Sequence, residues 1–392
     1  MSRSTRIPSW ATMVLAVFGL GCEAADPGTP GFVSRLGDDT ITVETFTRTE
    51  TGIEGRLVSR MPYTHRITYT ATLNPDGTIS RLQAERSTPA ENPEGPGPQS
   101  WTASIEGGTA TVERTGGENP GTNSFDVGPG AIPTLGRSSM AMFAFEQAIR
   151  QARAAGEPEV PVELVYPTRP QPVNNAVSQL AGDTVAISVF GAPVLAWADA
   201  DGNILGTDGS ATTVDIVTES AATLDVDALA SAWATRDAQG EGIGVASPSA
   251  TTEANLRGAN IEISYSQPAK RGREIWGGLV PYGEVWRTGA NAATVFTTDQ
   301  DLVIGGAEVP AGSYTLWSTF TPDSQQLIIN QETGQWGTAY NPDNDFQTVE
   351  MSRSSLPEVV ERFTISLEET ADAGMLHLDW DGTRFSVEIR AP

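Results

Sequence analysis

Basic side chains are scarce in this chain, and four of them fall in one short stretch. Tyr265 to Asn291, YSQPAKRGREIWGGLVPYGEVWRTGAN, carries Lys270, Arg271, Arg273 and Arg287 against two acids, Glu274 and Glu284, in a protein of formal charge −25. Lys270 is the only lysine in 392 residues. An arginine fork grips carboxylate or phosphate through paired N–H groups, whereas a lysine offers a compact point charge. Trp276, Tyr282 and Trp286 stand among these cations, and aromatic rings can hold a planar or sugar ligand at little cost in side-chain entropy. The stretch is therefore equipped to recognise a small anionic or glycan-derived ligand. Tyr265, Lys270, Arg273, Trp276, Trp286, Arg287 and Asn291 are the candidate ligand-binding residues.

Catalytic alternatives are thinner. Ser266 and Lys270 are four apart and Pro268 lies between them, which rules out the helical S-x-x-K arrangement a Ser–Lys dyad needs. Glu274 and Glu284 read as charge balance for the arginines, since nothing in the sequence sets their separation for acid–base work. The two histidines, His65 and His377, sit in strand patterns without a second ligand at metal spacing; His65 is expected on a strand with one face to water. Asp343-Asn344-Asp345 offers oxygens but lacks the glycine and terminal glutamate of a calcium loop. Gly305-Gly306 reads as a hairpin turn, because no helix follows to cradle phosphate. No catalytic residue, metal or cofactor is expected. A purely structural reading stays open, with the arginine forks satisfying loop carbonyls.

The elements that position these residues begin after a leader. Arg3 and Arg6 precede an apolar run, Trp10–Leu20, interrupted only by Thr12, and the run ends at Gly21-Cys22, where the chain's single cysteine stands. Such a run is too short to span a bilayer and suits a signal peptide. Residues 1–22 are expected to be a lipoprotein signal with Cys22 as the lipidated anchor, and 23–38 a tether. One cysteine allows no internal disulfide. Losing Arg3 and Arg6 with the leader takes the charge from −25 to −27, so nucleic acid and anionic lipid headgroups repel the chain. The expected address is the bacterial cell envelope, on the periplasmic side or the outer membrane, with Glu23 after the cysteine leaning to the latter.

Gly and Pro together make 66 of 392 residues, a turn-rich balance that points to short strands. Residues 39–240 show alternating strands, tight turns at Asn74–Gly77 and Asp199–Asn203, and helices over 139–155 and 225–239, the first capped by Ser138 or Ser139. Residues 245–392 are strand after strand, with Asp381-Gly382 as a two-residue hairpin signal. The fold class is mainly β: an N-terminal antiparallel sheet with one or two helices, and a C-terminal antiparallel β-sandwich or barrel. Glycines and Pro281 break any period across the 265–291 stretch.

That stretch, followed by Pro310-Ala-Gly-Ser-Tyr-Thr-Leu-Trp317 and Gln335-Trp336-Gly337, resembles the bacterial family known as domain of unknown function 2911. The resemblance covers roughly 245–392 and implies an all-β domain; it implies no reaction. Arg273 and Arg287 follow the glycine and tryptophan of the family pattern and are the first residues to test. The leading expectation is a non-catalytic, lipid-anchored binding or scaffold protein. The alternative is a hydrolase of an envelope polymer, using Lys270, Arg273, Tyr265 or Glu274.

Overall fold

In the computed structural model, the described residues are 29–391 apart from 94–95, 118, 137–140, 190–191, 211, 213–214 and 371–372. The leader, Cys22, residues 23–28 of the expected tether, and Ser138 and Ser139 lie outside them.

The first half of the chain builds one sheet, an antiparallel meander except at one edge, where a short strand runs parallel to its neighbour. It starts with β1 (Thr29–Leu36), β2 (Asp39–Arg48), β3 (Gly52–Ser59), β4 (His65–Leu73), β5 (Ile79–Ser87), β6 (Gln99–Glu106), β7 (Thr109–Gly116) and β8 (Gly121–Asp126). A short β9 (Ile132–Pro133) leads to α1 (Met142–Ala155). Then come β10 (Glu159–Val165), β11 (Val173–Gln179), β12 (Thr184–Val189), β13 (Ala192–Ala198), β14 (Ile204–Asp208), β15 (Ile216–Leu224) and α2 (Val226–Ala238). All fifteen strands form one sheet in which β1 joins the two runs, pairing with β2 on one side and β15 on the other. Residues 29–36 are thus strand and not tether. The segment pairs on both edges, and Phe32 holds it down by stacking on Phe46 of β2 at 5.7 Å and packing on the core.

The sheet curls round α1, whose Met142, Phe143, Ile149 and Ala152 join Leu57, Ile67, Val177 and Ile204 in a shared core. Helix α1 stops at Gly156, which takes φ 70°, a conformation that glycine adopts without strain. Helix α2 starts at Asp225, whose carboxylate accepts from Ala228 N at 2.9 Å. It packs Val226, Ala230 and Trp233 on Val43 and Val58. Leu57 and Val58 are neighbours on β3 that touch different helices, so the helices lie on opposite faces of the sheet. His65, on a strand expected to have one face to water, lies on the buried face at 4 % exposure, with Nδ1 3.0 Å from Tyr63 O.

The second half is a sandwich. Its larger sheet comprises β16 (Ser249–Leu256), β17 (Ala259–Ser266), β18 (Val285–Trp286), β19 (Thr294–Thr298), β22 (Gly312–Phe320), β23 (Gln325–Asn330) and β24 (Asp345–Glu350). The smaller comprises β20 (Leu302–Ile304), β21 (Ala307–Val309), β25 (Ser352–Glu369) and β26 (Gly374–Arg390). Ile263, Phe296, Leu316 and Leu327 of the first meet Phe363, Leu378, Trp380 and Phe385 of the second in one core. Strand β26 folds back at Asp381, φ 55°. The contacts His377–Ser386 and Asp379–Arg384 across it have the mirrored spacing of a two-residue hairpin.

Candidate functional site

Leaving β17, the chain turns at Pro268 and immediately spends its first three cations. Lys270 Nζ sits 3.0 Å from Asp381 Oδ1 and donates to Arg273 O at 3.1 Å. Arg271 pairs with Asp39 at the start of β2, and its carbonyl accepts from Asp38 N at 3.0 Å. Arg273 donates to Asp215 Oδ2 at 2.7 Å, to Ala269 O at 2.5 Å and to Lys270 O at 3.0 Å. Ser266 reaches Asn291 Nδ2 at 3.4 Å, while Lys270 is engaged elsewhere, so no Ser–Lys dyad forms.

Tyr265, Trp276 and Trp286 go inward, while Tyr282 stays exposed. Trp276 contacts Phe320 and Phe385 at 4.8 Å each, and Trp286 stacks on Trp380 at 5.9 Å. Tyr265 is buried edge-on against Phe363, and its hydroxyl accepts from Ile365 N at 3.0 Å. Tyr282 lies over Gly277, where a Cβ would come within 2.6 Å of the ring, so only glycine fits beneath it. These contacts staple the loop to the sandwich core.

Arg287 differs from every other cation of the stretch. Strand β18 pairs with β22 through Val285–Thr319 and Trp286–Ser318. Alternation turns Trp286 into the core and Arg287 to the other face. Its residue is 9 % exposed. Among the described residues its guanidinium makes no hydrogen bond and no ion pair, and Arg287 takes part only through its backbone, with O accepting from Thr294 N at 3.4 Å. Burial alone pushes its pKa down. None of its nitrogens is sealed away from solvent, so the stem is covered while the fork is reachable. A charge desolvated without a partner costs several kcal/mol.

Two neighbouring segments hold this geometry. Gly337 N donates to Asn291 O at 2.9 Å, and Asn291, at φ 61°, sends Nδ2 to Ser266 Oγ. A Cβ at Gly337 would stand 2.2 Å from Arg287 Cδ, so the arginine stem occupies the space that any other residue would fill. Trp336, just before it, bridges to Ala292 and is 50 % exposed. Gln335 is pinned to Thr315 Oγ1 at 3.0 Å, the same oxygen that accepts from Trp317 Nε1 at 3.0 Å. The Gln-Trp-Gly motif and the Arg287–Asn291 segment therefore meet at one place, although 44 residues separate Asn291 from Gln335. Trp336 was not among the sequence candidates; its signal was membership of a motif whose partner segment only folding reveals.

Other arrangements lie apart. His377 Nδ1 is 2.7 Å from Ser386 Oγ, and Nε2 is 3.3 Å from Glu368 Oε2, a pairing that strand alternation could not show because it crosses the β26 turn. Asp345 accepts from Asn330 Nδ2 at 2.8 Å and from Tyr340 Oη at 2.5 Å. On the α2 side of the first sheet an open trough of about 900 Å³ is lined by Thr45, Glu54, Arg56, Thr68, Glu85 and Asp227. A crevice of about 50 Å³ under α1 is lined by Ala144, Ala148, Val162, Leu164 and Val177.

The architecture is a mainly β protein in which a curled antiparallel sheet precedes a β-sandwich. Residues 247–389 match the family described as "Protein of unknown function (DUF2911)", and the C-terminal sandwich is a domain of that family. No curated protein matches the chain. Among solved structures, a DUF1089 family protein from Pseudomonas aeruginosa is 11 % identical with TM-score 0.32, covering 50 % of this chain and 97 % of its own. A beta-barrel-like protein of domain of unknown function DUF1849 from Brucella abortus is 14 % identical with TM-score 0.32, covering 51 % of this chain and all of its own.

Proposed function

We propose that the C-terminal domain binds a small anion, a carboxylate or phosphate, at the Arg287 fork, and that the protein is a lipid-anchored, non-catalytic binding component of the bacterial envelope. One observation carries the binding reading: an arginine nine-tenths buried as a residue whose reachable guanidinium has no counter-charge among the described residues. An incoming carboxylate would supply the two acceptors the fork lacks and offset the desolvation already incurred. The other cations serve differently, holding the loop in place through Asp39, Asp215 and Asp381. The anchor reading rests on the leader and Cys22 alone.

The test is thermal stability of the full chain with added acetate or inorganic phosphate. The wild type should gain stability with concentration, as mass action requires of a ligand that binds only the folded state. Arg287→Met keeps the apolar stem against Gly337 and removes the charge. It should leave the unliganded melting temperature equal or higher, and abolish the anion response. A strong loss of stability in Arg287→Met would make the arginine structural and end the binding reading.

Hydrolysis remains the second reading, favoured by the His377–Ser386 contact of 2.7 Å with Glu368 beyond it. A hydroxyl bonded to an imidazole that faces a carboxylate is the constellation of an activated nucleophile. A fluorophosphonate probe that labels Ser386, and fails to label Ser386→Ala, would support it; an unlabelled wild type removes it.

A further inference from the structure

Resting on the Arg287 reading, we infer that the bound anion is a carboxylate carried directly on a six-membered ring, and that Trp336 is the surface on which that ring lies. Indole is the largest apolar side chain, and burying it contributes to stability in proportion to the area removed from water. The core encloses Trp276, Trp317 and Trp380 almost completely, yet Trp336 stays 50 % exposed. Its exposure does not come from a loose backbone. Residue 336 bridges to Ala292, Gly337 is bonded to Asn291 O, and Gln335 is bonded to Thr315.

The same contacts hold the backbone of Trp336 one residue from Gly337, beside the Arg287 stem. Gly337 is the residue against which the Arg287 stem rests, so its chain neighbour Trp336 stands at the rim of the same site. Val285, two residues before Arg287 on the same face of β18, adds a second exposed apolar side chain at 38 %. The guanidinium does not lie over the indole: among the described residues the one such contact is Arg60 on Trp233. Ring and fork are therefore both unspent. A ligand with only a charge would satisfy Arg287 and leave Trp336 in water, whereas a planar ring acid satisfies both. Tetrahedral phosphate without a ring uses the fork alone.

Isothermal titration of the full chain with four probes separates the parts of this inference: acetate, inorganic phosphate, benzoate and glucuronate. Benzoate or glucuronate should bind more tightly than acetate, and whichever is tighter identifies the ring as aromatic or sugar. Trp336→Ala should weaken the preferred ring acid about 2- to 12-fold, the range expected for loss of one aromatic contact, while leaving acetate unchanged. Arg287→Met should remove binding of every probe. If acetate equals both ring acids in the wild type, or Trp336→Ala weakens acetate as much as the ring acid, the ring inference falls and the anion site stands. If no probe binds the wild type, both fall.

Discussion

Glu44 shows how a single residue can couple this fold to pH. It is fully buried, accepts from Tyr69 Oη at 2.5 Å, and accepts from Met142 N, the first residue of α1, at 2.5 Å. It therefore caps a helix whose own preceding residue, Ala141, offers no side-chain cap. Desolvation lifts its pKa from 4.5 to about 7, outweighing the hydrogen bonds from Tyr69, Met142 and Phe143, with Glu146 adding a little repulsion. A raised folded-state value means the folded protein holds the proton more tightly. That contribution is complete below about 4.5 and lost as pH rises to about 7. His65 runs the other way: burial lowers its pKa from 6.5 to about 4, so its contribution is present above 6.5 and lost as pH falls. Glu44→Gln should therefore flatten the decline in stability between pH 5.5 and pH 8, by on the order of 2 kcal/mol. Melting curves at the two pH values measure it, and parallel declines in variant and wild type would contradict it.

The cations of the 265–291 stretch are legible as residues and illegible as partners. All four read as one positive island, since their nearest acids in sequence are Glu274 and Glu284. The actual partners of Arg271 and Arg273 are Asp39 and Asp215, separated from them by 232 and 58 residues. Only long-range folding decides which arginine is left over. Trp276 and Trp286 read first as staples of the loop, with a ring platform as the alternative; the geometry uses both in the core.

At the scale of elements, the loop corner at 270–273 joins the two halves of the chain. Gly37 and Gly272 make the contact possible: a Cβ at Gly272 would fall 1.9 Å from Asp38 Oδ2, and one at Gly37 would fall 2.1 Å from Arg271 O. Asp215, half-buried and raised in pKa by desolvation, depends on Arg273 for its counter-charge. A double-mutant cycle on Arg273→Ala and Asp215→Ala should give a coupling of about 1–3 kcal/mol. Additive losses would mean that the pair does not join the halves. Alternation and turn signals gave most strands, both helices and the Asp381 hairpin. They missed β1, because Thr29-Pro30-Gly31 reads as tether and only pairing on both edges makes the segment a strand.

For the whole molecule, two cores without shared members lead us to expect that residues 245–392 fold alone, and circular dichroism of that fragment should show a cooperative melt. A broad, non-cooperative melt would contradict it. The anchor is a separate expectation: Cys22→Ser should move the protein from the detergent phase to the aqueous phase, and unchanged partitioning would rule out lipidation there. A net charge of −25 repels anions at long range. Screening limits that repulsion to about 8 Å at physiological salt, so a small anion can reach a cation set into the surface.

The central claim is that the Arg287 fork is empty in the free protein and filled by an anion. Nitrogen NMR of the arginine guanidinium groups tests it most directly, with Arg287 assigned by its loss in Arg287→Met. The account predicts that the Arg287 Nε and Nη resonances shift and slow their rotation as benzoate is added, while those of Arg271 and Arg273 stay put. An Arg287 signal that is already hydrogen-bonded without ligand, or that ignores every anion offered, would contradict it.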